Sequence, residues 1–178
     1  MQPSLRNYCL SKENNLGIFT SNMEQTVVLV KPDALQRGLT GEIIQRFDRK
    51  GLKLVGIKML IMTDSILDEW YAHHKDKSFF PKLKNFMEWT PIVAMVWEGL
   101  DAIPTVRKIV GITKGREAEA GSIRGDYGMS GSQNLIHASD SPEAAKKERK
   151  LIFKDSEIFN YQSASECLIY TQEEREGK

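Results

Sequence analysis

PIVAMVWEGLDAIPTVRKIVG, Pro91 to Gly111, decides the fold. Its first part, Pro91 to Gly99, is apolar at successive rather than alternate positions, the pattern of a buried strand. From Asp101 to Val110 the periodicity becomes helical, through Ile103, Val106 and Val110, and it stops at Gly111, where glycine provides a helix end. A buried strand therefore runs directly into an amphipathic helix, and the remaining elements are read outward from this pair.

Upstream, Thr26 to Val30 is a β-branched strand that ends at Lys31-Pro32, where proline turns the chain. Thr40 to Lys50 repeats Ile43, Ile44 and Phe47 at helical spacing and stops at Gly51, and Leu52 to Met62 is a second strand with one partly wet face. Thr63-Asp64-Ser65 caps a helix carrying Ile66, Leu67, Trp70 and Tyr71. A second short helix, from Pro81, carries Leu83, Phe86 and Met87 and completes a helical hairpin. Downstream, Thr113 to Gln133 holds five glycines and almost no periodicity, and is expected to be a long functional loop. A fourth strand ends near His137, after which Ser141 caps a helix starting at Pro142, with Leu151 and Ile152 facing inward. The order β-α-β-helices-β-α-loop-β-α predicts an α+β fold: a ferredoxin-like βαββαβ core whose four-stranded antiparallel sheet is covered by helices.

With 178 residues, 40% of them hydrophobic, the chain suits one domain, expected over residues 23–178 behind an extension at residues 1–22. That extension has neither the apolar run of a secretory signal nor the basic charge of a mitochondrial one. The longest apolar run, Ile92 to Trp97, is far shorter than the stretch of roughly 18 residues that crosses a bilayer, so no membrane association and a cytoplasmic location are expected. Lys and Arg total 25 against 24 Asp and Glu, so no overall field attracts nucleic acid, and any anion site is built locally. The two cysteines form no C-x-x-C and no histidine is spaced with them for zinc. His73 and His74 are adjacent, so on a helix they point about 100° apart and do not chelate one ion.

Neither glycine-rich phosphate loop, G-x-x-x-x-G-K-[ST] or G-x-G-x-x-G, occurs, and a nucleotide therefore needs side-chain cations. Lys31, Arg107 and Arg124 are the candidates, each equally readable as a solvated charge. His137 is the candidate nucleophile. A lone histidine is usually structural, but an imidazole with its ordinary pKa of ~6.5 is largely neutral at pH 7 and can attack phosphorus without a separate base. Such an attack needs one ring nitrogen free and the other held by an acceptor, and Glu148 on the following helix is placed to be that acceptor. Tyr71 and Phe79, beside Trp70 and Phe80, are readable as core aromatics, and only Phe79 is expected to be exposed.

Five fragments in order, Lys31-Pro32-Asp33, QRGLTGEII, VAMVWEG, SIRGD and NLIHASDS, closely resemble the nucleoside diphosphate kinases from about Met23 to Tyr170. The resemblance implies a ping-pong enzyme in which His137 takes the γ-phosphoryl group of ATP or another nucleoside triphosphate and passes it to a diphosphate through a phosphohistidine. It implies that Lys31, Tyr71, Arg107, Thr113, Arg124 and Asn134 contact phosphates and sugar. Phe79 then stacks on the base beside Leu83, and Ser139 supports Glu148. It further implies Mg²⁺ carried by the phosphates rather than by a protein metal site, and a homo-oligomer, hexamer or tetramer. Stacking is open to every base, so broad base tolerance is expected. Two positions depart from the family's pattern. Ala138 follows the histidine where the family has glycine, which requires a negative φ there. Lys114-Gly115 replaces Asn-Pro, which predicts a more flexible loop and puts loop contacts between subunits in doubt. That change motivates an alternative: a nucleotide-binding regulatory or interaction protein of the same fold with little turnover.

Overall fold

The computed structural model describes residues 23–176, and the expected extension at residues 1–22 lies outside the described residues. Four strands, β1 (Met23–Val30), β2 (Lys53–Leu60), β3 (Ile92–Leu100) and β4 (Ile136–Ala138), form one sheet in the order β2-β3-β1-β4. Every neighbouring pair is antiparallel. This is the expected ferredoxin-like order, with the two most apolar strands, β1 and β3, in the centre.

Period-two alternation divides the core into two layers. Val28, Val30, Met95 and Trp97 face one side, where they meet α2 (Thr40–Lys50) and α5 (Ala102–Val110) through Ile43, Phe47, Val106 and Val110. Val27, Leu29, Ala94 and Val96 face the other, against α3 (Asp64–Trp70), α4 (Phe80–Glu88) and α7 (Pro142–Ile152). Helices on both faces explain why β1 and β3 are continuously apolar. Each fully buried Val or Leu contributes roughly 1.5–3 kcal/mol, and these two strands hold most of the sheet's large apolar side chains.

Local chemistry sets the element ends. Thr63 accepts a hydrogen bond from the Ile66 amide and starts α3, and Ser141 accepts one from the Ala144 amide, with Pro142 in the first turn, to start α7. Gly51 ends α2 at φ 94°, the left-handed stop that the sequence predicts.

Three expectations are corrected. A short helix, α1 (Pro32–Gln36), occupies the expected turn after β1, because Lys31-Pro32 is a helix start as well as a strand stop. Strand β2 ends at Leu60 rather than Met62 and is irregular between Leu54 and Gly56. The loop from 113 to 133 is not structureless: it holds a 3₁₀ turn (Gly115–Glu117) and α6 (Ile123–Tyr127), started by the Ser122 hydroxyl, which accepts from the Gly125 amide. Past α7 the chain adds α8 (Glu166–Ile169) and α9 (Gln172–Glu176), two helices too short to show a periodicity in the sequence.

Candidate active site

His137 sits in β4 opposite Leu29 of β1. Its neighbours Ile136 and Ala138 belong to the α2/α5 layer, so alternation sends the imidazole to the α3/α7 side. There its Nε2 lies 2.9 Å from Glu148 Oε1, while Glu148 Oε2 accepts a 2.6 Å hydrogen bond from the Ser139 hydroxyl. Glu148 is thus an acceptor on both oxygens, which puts the ring proton on Nε2 and leaves the lone pair on Nδ1. Nδ1 makes no hydrogen bond among the described residues. Ser139 is fully buried and also accepts from the Val27 amide, so the sheet itself fixes the serine that fixes the glutamate. The Trp70 ring, at the end of α3, meets the imidazole in a T-shaped contact with centroids 5.2 Å apart. Ala138 is not among the residues with positive φ, which meets the condition set for an alanine there.

A group of cations gathers around the start of β4. Lys31 is only 8% exposed, which rules out the solvated-charge reading. Its Nζ donates to Asn134 Oδ1 at 2.7 Å. Burial, with the nearby Arg124 charge, lowers its pKa to about 8 against a small opposing effect of Asp33. Asn134 in turn donates to the carbonyls of Thr113 and Gly131, tying the long loop to the lysine. Arg124 is buried as well, and burial together with Arg107 lowers its pKa to about 10. Its guanidinium donates to the carbonyls of Gly111 (2.7 Å), Asn134 (3.2 Å) and Ile136 (2.6 Å). Of the five N–H donors that a guanidinium carries, these bonds use three.

Between the imidazole and the cations lies a strained turn. Leu135, fully buried, has φ 72°. The Ile136 amide donates back to the Asn134 carbonyl at 2.8 Å. Together these make a γ-turn of the rare positive-φ kind. The turn is held from outside: the Leu135 amide donates to Asp33 Oδ2, and its carbonyl accepts from the Lys31 amide.

The remaining expected residues take distinct places. Phe79 is 49% exposed, as expected, and its ring meets His74 edge-on at 5.3 Å. Tyr71 is buried in the core, stacked on His74 at 6.1 Å, and burial with the Glu148 charge pushes its phenol pKa up. Leu83 packs on the edge of the same core layer. Thr113 is exposed and touches the cluster through its carbonyl. Arg107 is exposed and lines a 790 Å³ groove along α5 whose walls include neither His137 nor Glu148. Gly115 stands at a crowded position in the long loop. It is buried against Gly128, where a Cβ would collide with the Gly128 carbonyl oxygen, so glycine here serves close packing. Among the described residues no cluster of three or more His, Cys, Asp or Glu is placed to hold a metal ion.

Sequence reasoning missed Asp33, Leu135 and Trp70. Asp33 stands in the quoted Lys-Pro-Asp fragment, which is a usable signal, whereas nothing in the sequence marks the φ of Leu135. Trp70 reads from its spacing as a core aromatic, and it is one, but its ring also borders the imidazole.

A histidine braced by a carboxylate, beside buried cations, is the site of an enzyme that handles an anionic group. Comparison with known proteins identifies which. Residues 24–158 match the family described as nucleoside diphosphate kinase. A nucleoside diphosphate kinase of Parabacteroides distasonis is 51% identical over 152 residues, covering 85% of this chain and 99% of the relative. One from Staphylothermus marinus is 54% identical over 140 residues, covering 79% and 99%. Among solved structures, a halophilic nucleoside diphosphate kinase of Halobacterium salinarum in complex with CDP is 44% identical with a TM-score of 0.81, covering 83% of this chain and 98% of that one. The chain belongs to the nucleoside diphosphate kinase family. It is an enzyme, a nucleotide-binding kinase, and its four-stranded antiparallel α+β fold is the fold of that family.

Proposed function

We propose that the enzyme works by a ping-pong mechanism through a phosphohistidine on His137. In the first half, the Nδ1 lone pair attacks the γ-phosphorus of a nucleoside triphosphate. The bond to the bridging oxygen breaks, and its electron pair leaves with the diphosphate. The Nε2 proton stays on the ring, where Glu148 stabilises the positive charge that develops. In the second half, a terminal oxygen of another diphosphate attacks phosphorus, and Nδ1 recovers its lone pair. The observation that carries this reading is Glu148 accepting from both His137 and Ser139, which leaves Nδ1 as the ring's nucleophile.

Charge stabilisation is assigned to Arg107, to the two unused donors of Arg124, and to Lys31 and Thr113, a preorganised set that meets the migrating phosphoryl group. Asn134, Lys31 and Tyr71 complete the sugar and phosphate contacts. Phe79, with Leu83 beside it, stacks on the base, so that different bases bind comparably. Mg²⁺ belongs to this reading as an ion that the nucleotide's phosphates would carry, and it would neutralise phosphate charge during transfer. A homo-oligomer, hexamer or tetramer, is part of the proposal, supported by exposed Ile57, Met59 and Ile61 on and just beyond the edge strand β2. Light scattering measures it. No described helix is long and apolar enough to cross a membrane, and we assign the protein to the cytoplasm with its nucleotides. The alternative, a nucleotide-binding regulatory or interaction protein of the same fold with little turnover, predicts nucleotide binding without phosphate exchange.

Incubation with γ-labelled ATP and Mg²⁺ is the test. Acid-labile, base-stable label on the wild type and none on His137→Ala is the expected result. Label that persists in His137→Ala, or a wild type that binds nucleotide without exchanging phosphate, overturns the proposal.

A further inference from the structure

Glu148 holds the imidazole at one nitrogen only, and a single hydrogen bond leaves the ring free to rock or turn about its attachment. The second restraint on the ring is Trp70, whose indole lies 5.2 Å from it, centroid to centroid, at an interplanar angle of 72°. Trp70 is itself immobilised: it is buried at the end of α3 within the layer that contains Leu67, Tyr71 and Ile152. We infer that Trp70 is a positioning residue for phosphoryl transfer, holding the His137 ring so that Nδ1 and not Nε2 meets the phosphorus. This inference rests on the phosphohistidine reading and deepens it.

A T-shaped aromatic contact has a preferred geometry, so turning the ring loses it along with the Glu148 bond. That preference is absent from an aliphatic side chain of similar bulk. An alternative in which Trp70 merely fills space predicts that Leu or Met serves as well.

The test therefore uses Trp70→Phe, Trp70→Leu and Trp70→Met, with folding checked by circular dichroism, and reads rate and phosphohistidine isomer. Trp70→Phe is expected to keep near-wild-type kcat and a single Nδ1 isomer by ³¹P NMR. Trp70→Leu and Trp70→Met are expected to lose roughly 3- to 10-fold in kcat, the span of one aromatic contact, with KM within about twofold. They should also carry a measurable share of Nε2 isomer. If either aliphatic variant folds and shows wild-type kcat with only the Nδ1 isomer, Trp70 is a packing residue and the inference fails. If neither folds, Trp70→Phe decides: a lower kcat or mixed isomers in that aromatic replacement also overturns it. A wild type without any phosphohistidine removes the proposed mechanism itself, an outcome separate from these.

Discussion

Replacing Lys31 by methionine should make the protein less active, and should leave it more stable relative to the wild type near neutral pH than in alkali. The lysine is buried, and its folded pKa of about 8 lies below the ordinary 10.5. Between those values the unfolded chain binds a proton that the folded chain does not, so wild-type stability rises with pH across that window. Below pH 8 the full cost of holding the cation is present, about 3 kcal/mol for a pKa that falls from 10.5 to about 8. The methionine variant lacks this group, and its stability should be flat where the wild type climbs. The loss of the bond to Asn134 Oδ1 costs the variant roughly 1–3 kcal/mol at every pH, so the sign at pH 7 alone decides nothing. The difference between two pH values does. With both pKa values in the linkage relation, the variant's stability relative to wild type should fall by about 2 kcal/mol from pH 7 to pH 9.5. Urea unfolding of both proteins at the two pH values measures it, and groups common to both cancel. A change below about 0.5 kcal/mol, or one of opposite sign, shows that Lys31 is not held as a depressed cation, and the reasoning fails. Activity should drop roughly 10²-fold or more, the usual consequence of removing one preorganised donor to developing charge.

Glu148→Gln should slow phosphoenzyme formation by roughly 10²-fold in rapid-quench assays, because an amide has one acceptor oxygen where His137 and Ser139 need two. Phe79→Ala should raise KM by about tenfold for ATP, GTP and CTP alike, the worth of one stacked base, while Tm stays within about 2 °C because the ring is half exposed. Gly115→Ala should destabilise the fold by about 1–3 kcal/mol in urea unfolding, since its Cβ would run into the Gly128 carbonyl. Unchanged stability there would show that the loop opens freely.

The parts of this molecule legible in its sequence are those governed by local periodicity. The buried runs of β1 and β3 and the Ser141-Pro142 start of α7 are written as patterns of burial and capping, and they position His137 and Glu148 correctly. Lys31 is ambiguous in the sequence because a lysine after a strand carries no signal of burial; only the tertiary closure of Asn134 and Leu135 over it makes it a buried cation. Gly115 is ambiguous for the same reason. A glycine signals permitted conformations, and whether that freedom serves motion or close approach depends on Gly128, thirteen residues on. Trp70 counts as core by spacing, and spacing does not say which polar ring borders a core residue.

The strained turn at Leu135 joins the buried cations to the His137 imidazole. A leucine at positive φ costs of order 1–2 kcal/mol and persists only where the surroundings over-determine it. Here four bonds do so: Asp33 and the Lys31 amide grip Leu135, and Arg124 grips the carbonyls of Asn134 and Ile136 on either side. The Asn134 and Ile136 carbonyls stand at the two ends of the γ-turn, and one guanidinium holds both. The conformation that binds Arg124 is therefore the one that delivers the next residue, His137, into β4 on the Glu148 side. The Arg124 guanidinium and the imidazole are thus set by a single backbone feature, so a disturbance of either is transmitted to the other through three residues of chain.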